Sequence, residues 1–349
     1  MSGVLLIQTA FLGDVVLTTP LISAAAERFR SLPVSVLVIP PGAQALGYPA
    51  SPIPGIQEII VYDKRGRHRG LIEFFRLARR LKYRRFDVAL VPHRSHRSAV
   101  LAYLAGVPIR VGFRQNALGP LFTHRVDRAM DKHEALRNLA LLEPFGGPPA
   151  GFVPKLNVAV TDESRGAAKL LLKDIPEDTL RVGIAPGSVW GTKRWLPGGF
   201  AAVMDNFPTG WRGTGPATFI ILGGPDDIEA AQKVAQITHA SFINLAGKTT
   251  IPEMIAVIES LDLFITNDTG PMHIAAALDV PIVAVFGATT PALGFAPFSR
   301  DARIVEPPTA LTCRPCSAHG PQSCPEGHFR CMREITPQMV LDAICDLQC

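Results

Sequence analysis

Four short segments of this sequence set carboxylates, cations or hydroxyls beside small residues, each directly after a run that reads as a buried strand. In open parallel sheets, ligands gather beyond the carboxyl ends of the strands, so these are the places to look for chemistry. The first is TAFLGDVVLTTP, residues 9–20. Gly13 permits a tight turn, and Asp14 stands at the start of a helix. Asp14 can serve as a general base that takes a proton from an acceptor hydroxyl. It can equally be an N-cap that satisfies backbone N–H groups. No Gly-x-Gly-x-x-Gly follows this strand, which weighs against a dinucleotide dehydrogenase.

The second segment, APGSVWGTKRW over 185–195, empties a strand into Pro186-Gly187-Ser188 and then presents Thr192, Lys193 and Arg194 between two tryptophans. Small residues let a phosphate approach the backbone, and Lys193 is a compact cation able to neutralise it. A surface turn with aromatic packing is the plainer alternative. The third, LGGPDDIE over 222–229, offers Asp227, with Asp226 as competitor, to accept hydrogen bonds from a ribose. Acids at a helix start also answer the helix dipole, so this segment remains open.

The fourth segment, TNDTGPMHIAAALDVPIVAVFGATTP over 266–291, is the most informative. A strand ends at Asn267-Asp268 and Thr269-Gly270-Pro271 open a helix, whose N–H groups and positive end form an anion site. Thr269 and Gly270 suit a diphosphate, and Asp268 can orient the site or bind a sugar hydroxyl. His273 falls in the first helical turn, within reach of the same anion. Gly287-Ala288-Thr289, after the next strand, supply a further wall.

The elements that must position these segments alternate between strands and helices. Strands are expected over 4–8, 34–39 and 87–92, with helices over 14–29 and 71–82, the latter with an Arg-rich polar face. A Gly- and Pro-rich stretch, FGGPPAGFVP at 145–154, reads as a linker. The alternation then restarts, with strands over 181–185, 218–222, 263–266 and 282–286 and helices over 227–237 and 251–260. A closing helix over 337–347 opens with Pro in its first turn and is able to cross back onto the first domain. The expected class is therefore α/β with parallel sheets, in two domains over 1–150 and 151–349.

Composition narrows the function classes. The 349 residues are 47% hydrophobic and 19% charged, a globular balance with room for two cores. No apolar run is long enough to span a membrane, and the N-terminus lacks a secretory pattern, so a cytoplasmic protein with peripheral membrane contact is expected. The net charge of +5 is uneven. Residues 1–150 hold 20 Lys and Arg against 10 Asp and Glu, whereas the remainder holds 15 against 20. Different ligands for the two halves follow. The basic residues are not interleaved with stacking aromatics and no nucleic-acid motif is present, so nucleic acid is not an expected partner. A non-catalytic polyanion-binding module and a sugar-nucleotide epimerase or hydrolase are the competing classes. An epimerase would need no basic acceptor surface.

All six cysteines lie beyond residue 312, unlike a disulfide framework spread through a secreted fold. Cys313, Cys316, Cys324 and Cys331, with His319 and His328 nearby, can be read as a structural zinc site or as reduced thiols. Their spacing is looser than a zinc ribbon.

GDVVLTTP near the start, SAVLAYLAGVPIRVGFR from Ser98, PGSVWGTKRW and NDTGPMHIAAALDVPIVAVFG together resemble the ADP-heptose–lipopolysaccharide heptosyltransferase family over nearly the whole chain. The tail CRPC…CPEGHFRCMREITP resembles its heptosyltransferase II type. That resemblance implies a GT-B fold, two facing Rossmann-like domains with the active site in the cleft. It implies inverting transfer of L-glycero-D-manno-heptose from ADP-heptose, with no catalytic metal and no cofactor. The acceptor would be the Kdo/heptose lipid A inner core at the cytoplasmic face of the inner membrane, and the step the second heptose, with the first heptose on Kdo2-lipid A as the alternative. By position, Asp14 matches the family's general base, and Thr192 and Lys193 fall in its donor phosphate segment. Asp227 matches the ribose ligand, and Asp268, Thr269, Gly270 and His273 the donor-binding turn. Arg65, Arg67, Arg69, Arg94 and Arg97 are candidate partners for the anionic acceptor.

Overall fold

The structure, a computed structural model, describes residues 3–50, 52–93, 95–176, 178–213 and 215–347. The chain divides into two compact units, Met1–Ala159 and Val160–Cys349.

The first unit holds strands β1 (Val4–Gln8), β2 (Val34–Val38), β3 (Glu58–Val61), β4 (Val88–Val91), β5 (Ile109–Phe113) and β6 (His124–Val126). Its helices are α1 (Leu12–Arg28), α2 (Pro40–Ala45), α3 (Leu71–Tyr83), α4 (His96–Leu104) and α5 (Glu134–Leu139). The sheet is parallel, with order β3-β2-β1-β4-β5-β6. Because side chains alternate across a strand, Val4 and Leu6 pack with Leu21, Ile22 and Ala25 of α1. Leu5 and Ile7 pack on the other face with Leu77 of α3 and Leu101 of α4. A strand covered on both sides must be apolar throughout, which is why VLLIQ reads as an unbroken run. α1 continues through Pro20, whose missing N–H would orphan the Val16 carbonyl. The Thr19 hydroxyl donates to that carbonyl at 2.7 Å and accepts from the Asn157 N–H at 2.9 Å.

The second unit repeats the plan with β7 (Leu180–Ala185), β8 (Ala217–Ile221), β9 (Phe242–Asn244), β10 (Leu263–Asn267), β11 (Ile282–Val285) and β12 (Ala302–Val305). Its helices are α6 (Asp162–Leu171), α7 (Pro197–Asp205), α8 (Ile228–Ala235), α9 (Ile251–Glu259), α10 (Gly270–Ala277), α11 (Arg330–Arg333) and α12 (Pro337–Cys345). The order β12-β11-β10-β7-β8-β9 is the same parallel arrangement as in the first sheet. Val182, Ile184, Ile265 and Val285 form one core with Phe200 and Met204 of α7 and Ile344 of α12.

Two expectations shift. The segment after the Gly-Pro stretch stays on the first unit, where the Ala159 N–H donates to the Ala45 carbonyl at 2.8 Å, so the division falls after Ala159. The closing helix packs on α7, β11 and β12 of its own unit. Two buried tryptophans account for this: Trp195 Nε1 donates to the Ile335 carbonyl at 3.1 Å, and Trp211 Nε1 to the Ile344 carbonyl at 3.0 Å. A buried indole N–H needs an acceptor, and the tail supplies both.

Candidate functional site

Each sheet reverses its strand order beside its first strand, between β1 and β4 and between β7 and β10. At such a switch point a crevice opens outside the carboxyl ends. The segment after β1 reaches this place in the first unit, and those after β7 and β10 reach it in the second.

In the first unit, Asp14 is the third residue of α1 and half-buried. Its Oδ2 accepts the Phe11 N–H at 3.2 Å. Phe11 occupies the N-cap position, so the capping alternative survives in altered form: the carboxylate serves the helix start from inside the first turn. Beside it, Thr9 joins three elements. Its hydroxyl lies 3.2 Å from His93 Nδ1 and 3.3 Å from Ser98 Oγ, and its carbonyl accepts from Lys64 Nζ at 2.7 Å. Burial, then the nearby Arg65 and Arg97 charges, push the Lys64 pKa down. Arg67 and Arg69 are exposed on the turn after β3, which Asp63 organises by accepting the Gly66 and Arg67 N–H groups. Arg94 lies outside the described residues. Lys64 and His93 escape sequence reasoning: β3 is short and only partly buried, so nothing marks Lys64, three residues past its end, and His93, two residues past β4, belongs to no motif.

In the second unit, the turn after β7 is built against Asp227. A Cβ on Gly187 would sit 2.0 Å from Asp227 Oδ1, so only glycine fits there. Asp227 Oδ2 accepts the Gly224 N–H at 2.9 Å. Burial raises its pKa, against smaller opposing effects of that N–H and of Arg194. Asp226, its competitor in the sequence, is exposed. Asn267 is fully buried and latches the turn to β10. Its Nδ2 donates to the Pro186 carbonyl at 2.9 Å, and its Oδ1 accepts the Trp195 N–H at 3.0 Å.

The structure brings Lys193 and Asp268 together. Lys193 Nζ lies 2.6 Å from Asp268 Oδ2, and the Thr289 hydroxyl donates to the same oxygen at 2.7 Å. Asp268 therefore first serves to hold the lysine. An ammonium has three donors, so one bond to Asp268 leaves capacity for an anion. Thr269 is the N-cap of α10 and makes no side-chain cap bond, and Gly270 follows with Pro271 in the first turn. His273 is buried in that turn. A cation held beside a helix start can bind a phosphate.

Thr192 differs from expectation. Its hydroxyl donates to the Pro321 carbonyl at 2.6 Å and is turned toward a strap from the cysteine-bearing tail. Gln322 clasps the same turn, accepting the Gly191 N–H at 3.1 Å and donating to the Val189 carbonyl at 3.0 Å. His319 stacks on Trp190 with ring centroids 6.2 Å apart. Upstream, Arg314 donates to the Phe286 and Thr289 carbonyls at 3.0 and 2.9 Å. The strap thus braces both the Lys193 turn and the Thr289 wall. No sequence motif announced it, since side chains here meet backbone groups far along the chain, Thr192 and Gln322 across 129 to 133 residues and Arg314 across 25 to 28.

The cysteines lie in and after this strap. Burial, then the neighbouring Cys313 and Cys324, raise the Cys316 pKa. Burial, then the neighbouring Cys316 and Cys324, push Cys331 up to about 11. Cys313 Sγ lies 3.8 Å from His328 Nε2. Among the described residues, no group of three or more His, Cys, Asp or Glu side chains is arranged to hold a metal ion.

The sequence model of glycosyltransferase family 9 (heptosyltransferase) matches residues 74–322. Lipopolysaccharide heptosyltransferase 2 of Salmonella typhimurium is 26% identical over 363 aligned residues, covering 99% of this chain and 98% of that protein. The corresponding protein of Escherichia coli is 26% identical, covering 98% and 97%. Among solved structures, the family 9 glycosyl transferase from Veillonella parvula is 26% identical, with TM-score 0.86 and coverage of 99% and 96%. The E. coli ADP-heptose lps heptosyltransferase II structure matches with TM-score 0.75 at 22% identity, covering 99% and 98%, and shows the same GT-B fold.

Proposed function

As the chain belongs to glycosyltransferase family 9, the heptosyltransferases, we propose that it transfers L-glycero-D-manno-heptose from ADP-heptose onto the inner core of lipopolysaccharide, adding the second heptose with inversion. Relatives named lipopolysaccharide heptosyltransferase 2, matched over nearly their whole length, support the acceptor and the step. The observation that carries the reading is the pairing of Lys193 with Asp268 beside the start of α10, a cation fixed where a diphosphate would lie.

In this mechanism Asp14 takes the proton from an acceptor hydroxyl. The freed oxygen attacks the anomeric carbon of the donor from the face opposite the diphosphate, and the bond from that carbon to the diphosphate oxygen breaks. One displacement inverts the centre. The charge that develops on the leaving ADP falls to Lys193, the Thr269 and Gly270 amides and His273, donors already in place before reaction. Asp227 accepts from the ribose hydroxyls. Asp268, besides holding Lys193, has Oδ1 to offer a sugar hydroxyl. Lys64, Arg65 and Arg97 meet carboxylates or phosphates of the inner core.

The work is cytoplasmic, at the surface of the inner membrane. No helix among the described residues is long and apolar enough to cross a bilayer, so contact would be peripheral. The test is ADP release from ADP-heptose with Kdo2-lipid A or its mono-heptosylated form as acceptor. Release only with the mono-heptosylated form is expected. Release only with Kdo2-lipid A would move the enzyme to the first heptose, and release without any acceptor would overturn the transferase reading.

A further inference from the structure

The basic excess of the first unit is concentrated in one place. Residues 64–85 contain ten Lys and Arg and a single acid, Glu73. Arg65, Arg67 and Arg69 are exposed on the turn, as are Arg76, Arg79, Arg80 and Lys82 on α3. Recognition of a soluble anion would need no more than this. Yet the same surface exposes large apolar side chains: Leu71 at 69%, Ile72 at 71%, Phe75 at 56% and Tyr83 at 70%. These are among the most exposed hydrophobic side chains of the protein, gathered on one helix.

Helical geometry shows that this is a face. α3 buries Phe74, Leu77, Ala78 and Leu81, a stripe at the spacing of one helix side. At 3.6 residues per turn, Ile72, Phe75, Arg79 and Tyr83 lie opposite that stripe, with Leu71, Arg76 and Arg80 flanking them. A helix already packed by one side has no reason to present Ile and Phe to water unless something else receives them. An arc of apolar residues bordered by arginines matches an interfacial helix on anionic lipid: the apolar side chains enter the acyl boundary and the cations meet the headgroups.

We propose that the outward face of α3, with the basic turn before it, docks the protein on an anionic membrane surface. This rests on the reading of the acceptor as lipid-anchored, and it assigns the peripheral contact to named residues. The turn bearing Arg65 also neighbours Lys64 and Thr9 at the carboxyl end of the first sheet. Docking here would bring headgroups to the side of the unit where the acceptor must arrive.

The experiment is co-sedimentation of the full chain with vesicles of phosphatidylcholine, with and without phosphatidylglycerol, at two salt concentrations. Wild type should partition onto the anionic vesicles, less so at high salt, and little onto phosphatidylcholine alone. The variant carrying Ile72→Ser and Phe75→Ser should lose at least ~tenfold in partition. Its thermal unfolding and its turnover with detergent-dispersed acceptor should match wild type. Arg76→Gln with Arg79→Gln should weaken partition and flatten its salt dependence. Equal partition of wild type and the serine variant would overturn the proposal, as would no partition at all. A serine variant that turns a dimer into a monomer with vesicle binding unchanged would assign the face to a second copy and also overturn it. Absent heptose transfer with vesicle binding intact would instead count against the enzymatic reading alone.

Discussion

Lys193 and Asp268 meet at 2.6 Å from opposite sides of the switch point in the second sheet, one carried by the turn after β7 and the other by the end of β10. The carboxylate is buried and the lysine side chain keeps 13% exposure, so the pair is worth far more as a pair than either member alone. Lys193→Met should lower stability by on the order of 2 kcal/mol, below the ~3–5 kcal/mol of a fully buried broken pair. It should weaken ADP binding by about tenfold to a hundredfold. Adding Asp268→Asn should restore much of the stability and none of the ADP binding. Thermal unfolding and calorimetric titration with ADP read the two effects separately.

Asp227 carries a pH signature. Burial holds its pKa above the ordinary value of 3.8. The folded chain therefore binds this proton more readily than the unfolded chain, and the group's contribution to stability falls as pH rises from 3.8 through the raised value. Asp227→Asn keeps an acceptor for the Gly224 N–H and removes the buried charge. The variant should melt higher than wild type at neutral pH, with the difference closing below pH 3.8. Its ADP affinity should fall about tenfold, as charge-assisted bonds to the ribose become neutral ones. Melting curves across pH, with ADP titrations at neutral pH, check both signs.

The strap gives a third prediction. Gln322 is exposed, yet it makes two hydrogen bonds to the turn that carries Lys193. Gln322→Ala should leave unfolding nearly unchanged and raise the donor KM by about tenfold. The turnover number and the acceptor KM should stay within about twofold, because a loosened turn costs donor affinity first. Steady-state kinetics with each substrate varied in turn would show the split.

Much of this arrangement was legible in the sequence because it obeys local rules. β1, β7, β10 and β11 are covered on both faces and so appear as unbroken apolar runs, and their ends could be placed within a residue or so. The edge strands β3, β6, β9 and β12, and β5 beside one edge, were not seen. They are short, only partly buried, and interrupted by residues such as Arg125 and Arg303, so no run marks them. The same contrast holds in the site. Asp268, Thr269, Gly270 and His273 sit next to one another at a strand-to-helix turn, a pattern visible in one segment. That Asp268 would hold Lys193, and that Thr192 would face Pro321, depends on partners 75 and 129 residues away. The terminal helix shows the same limit: its Pro start was readable, whereas its packing follows from two indole N–H groups far upstream.

The central claim is that Asp14 removes the acceptor proton, and Asp14→Asn tests it most directly. Asparagine can still accept the Phe11 N–H, so the start of α1 and the fold should persist, but it cannot take a proton. Single-turnover transfer from ADP-heptose to the mono-heptosylated acceptor should fall by at least ~100-fold, with ADP affinity and melting temperature close to wild type. Transfer within a few-fold of wild type would contradict the account and move the base elsewhere.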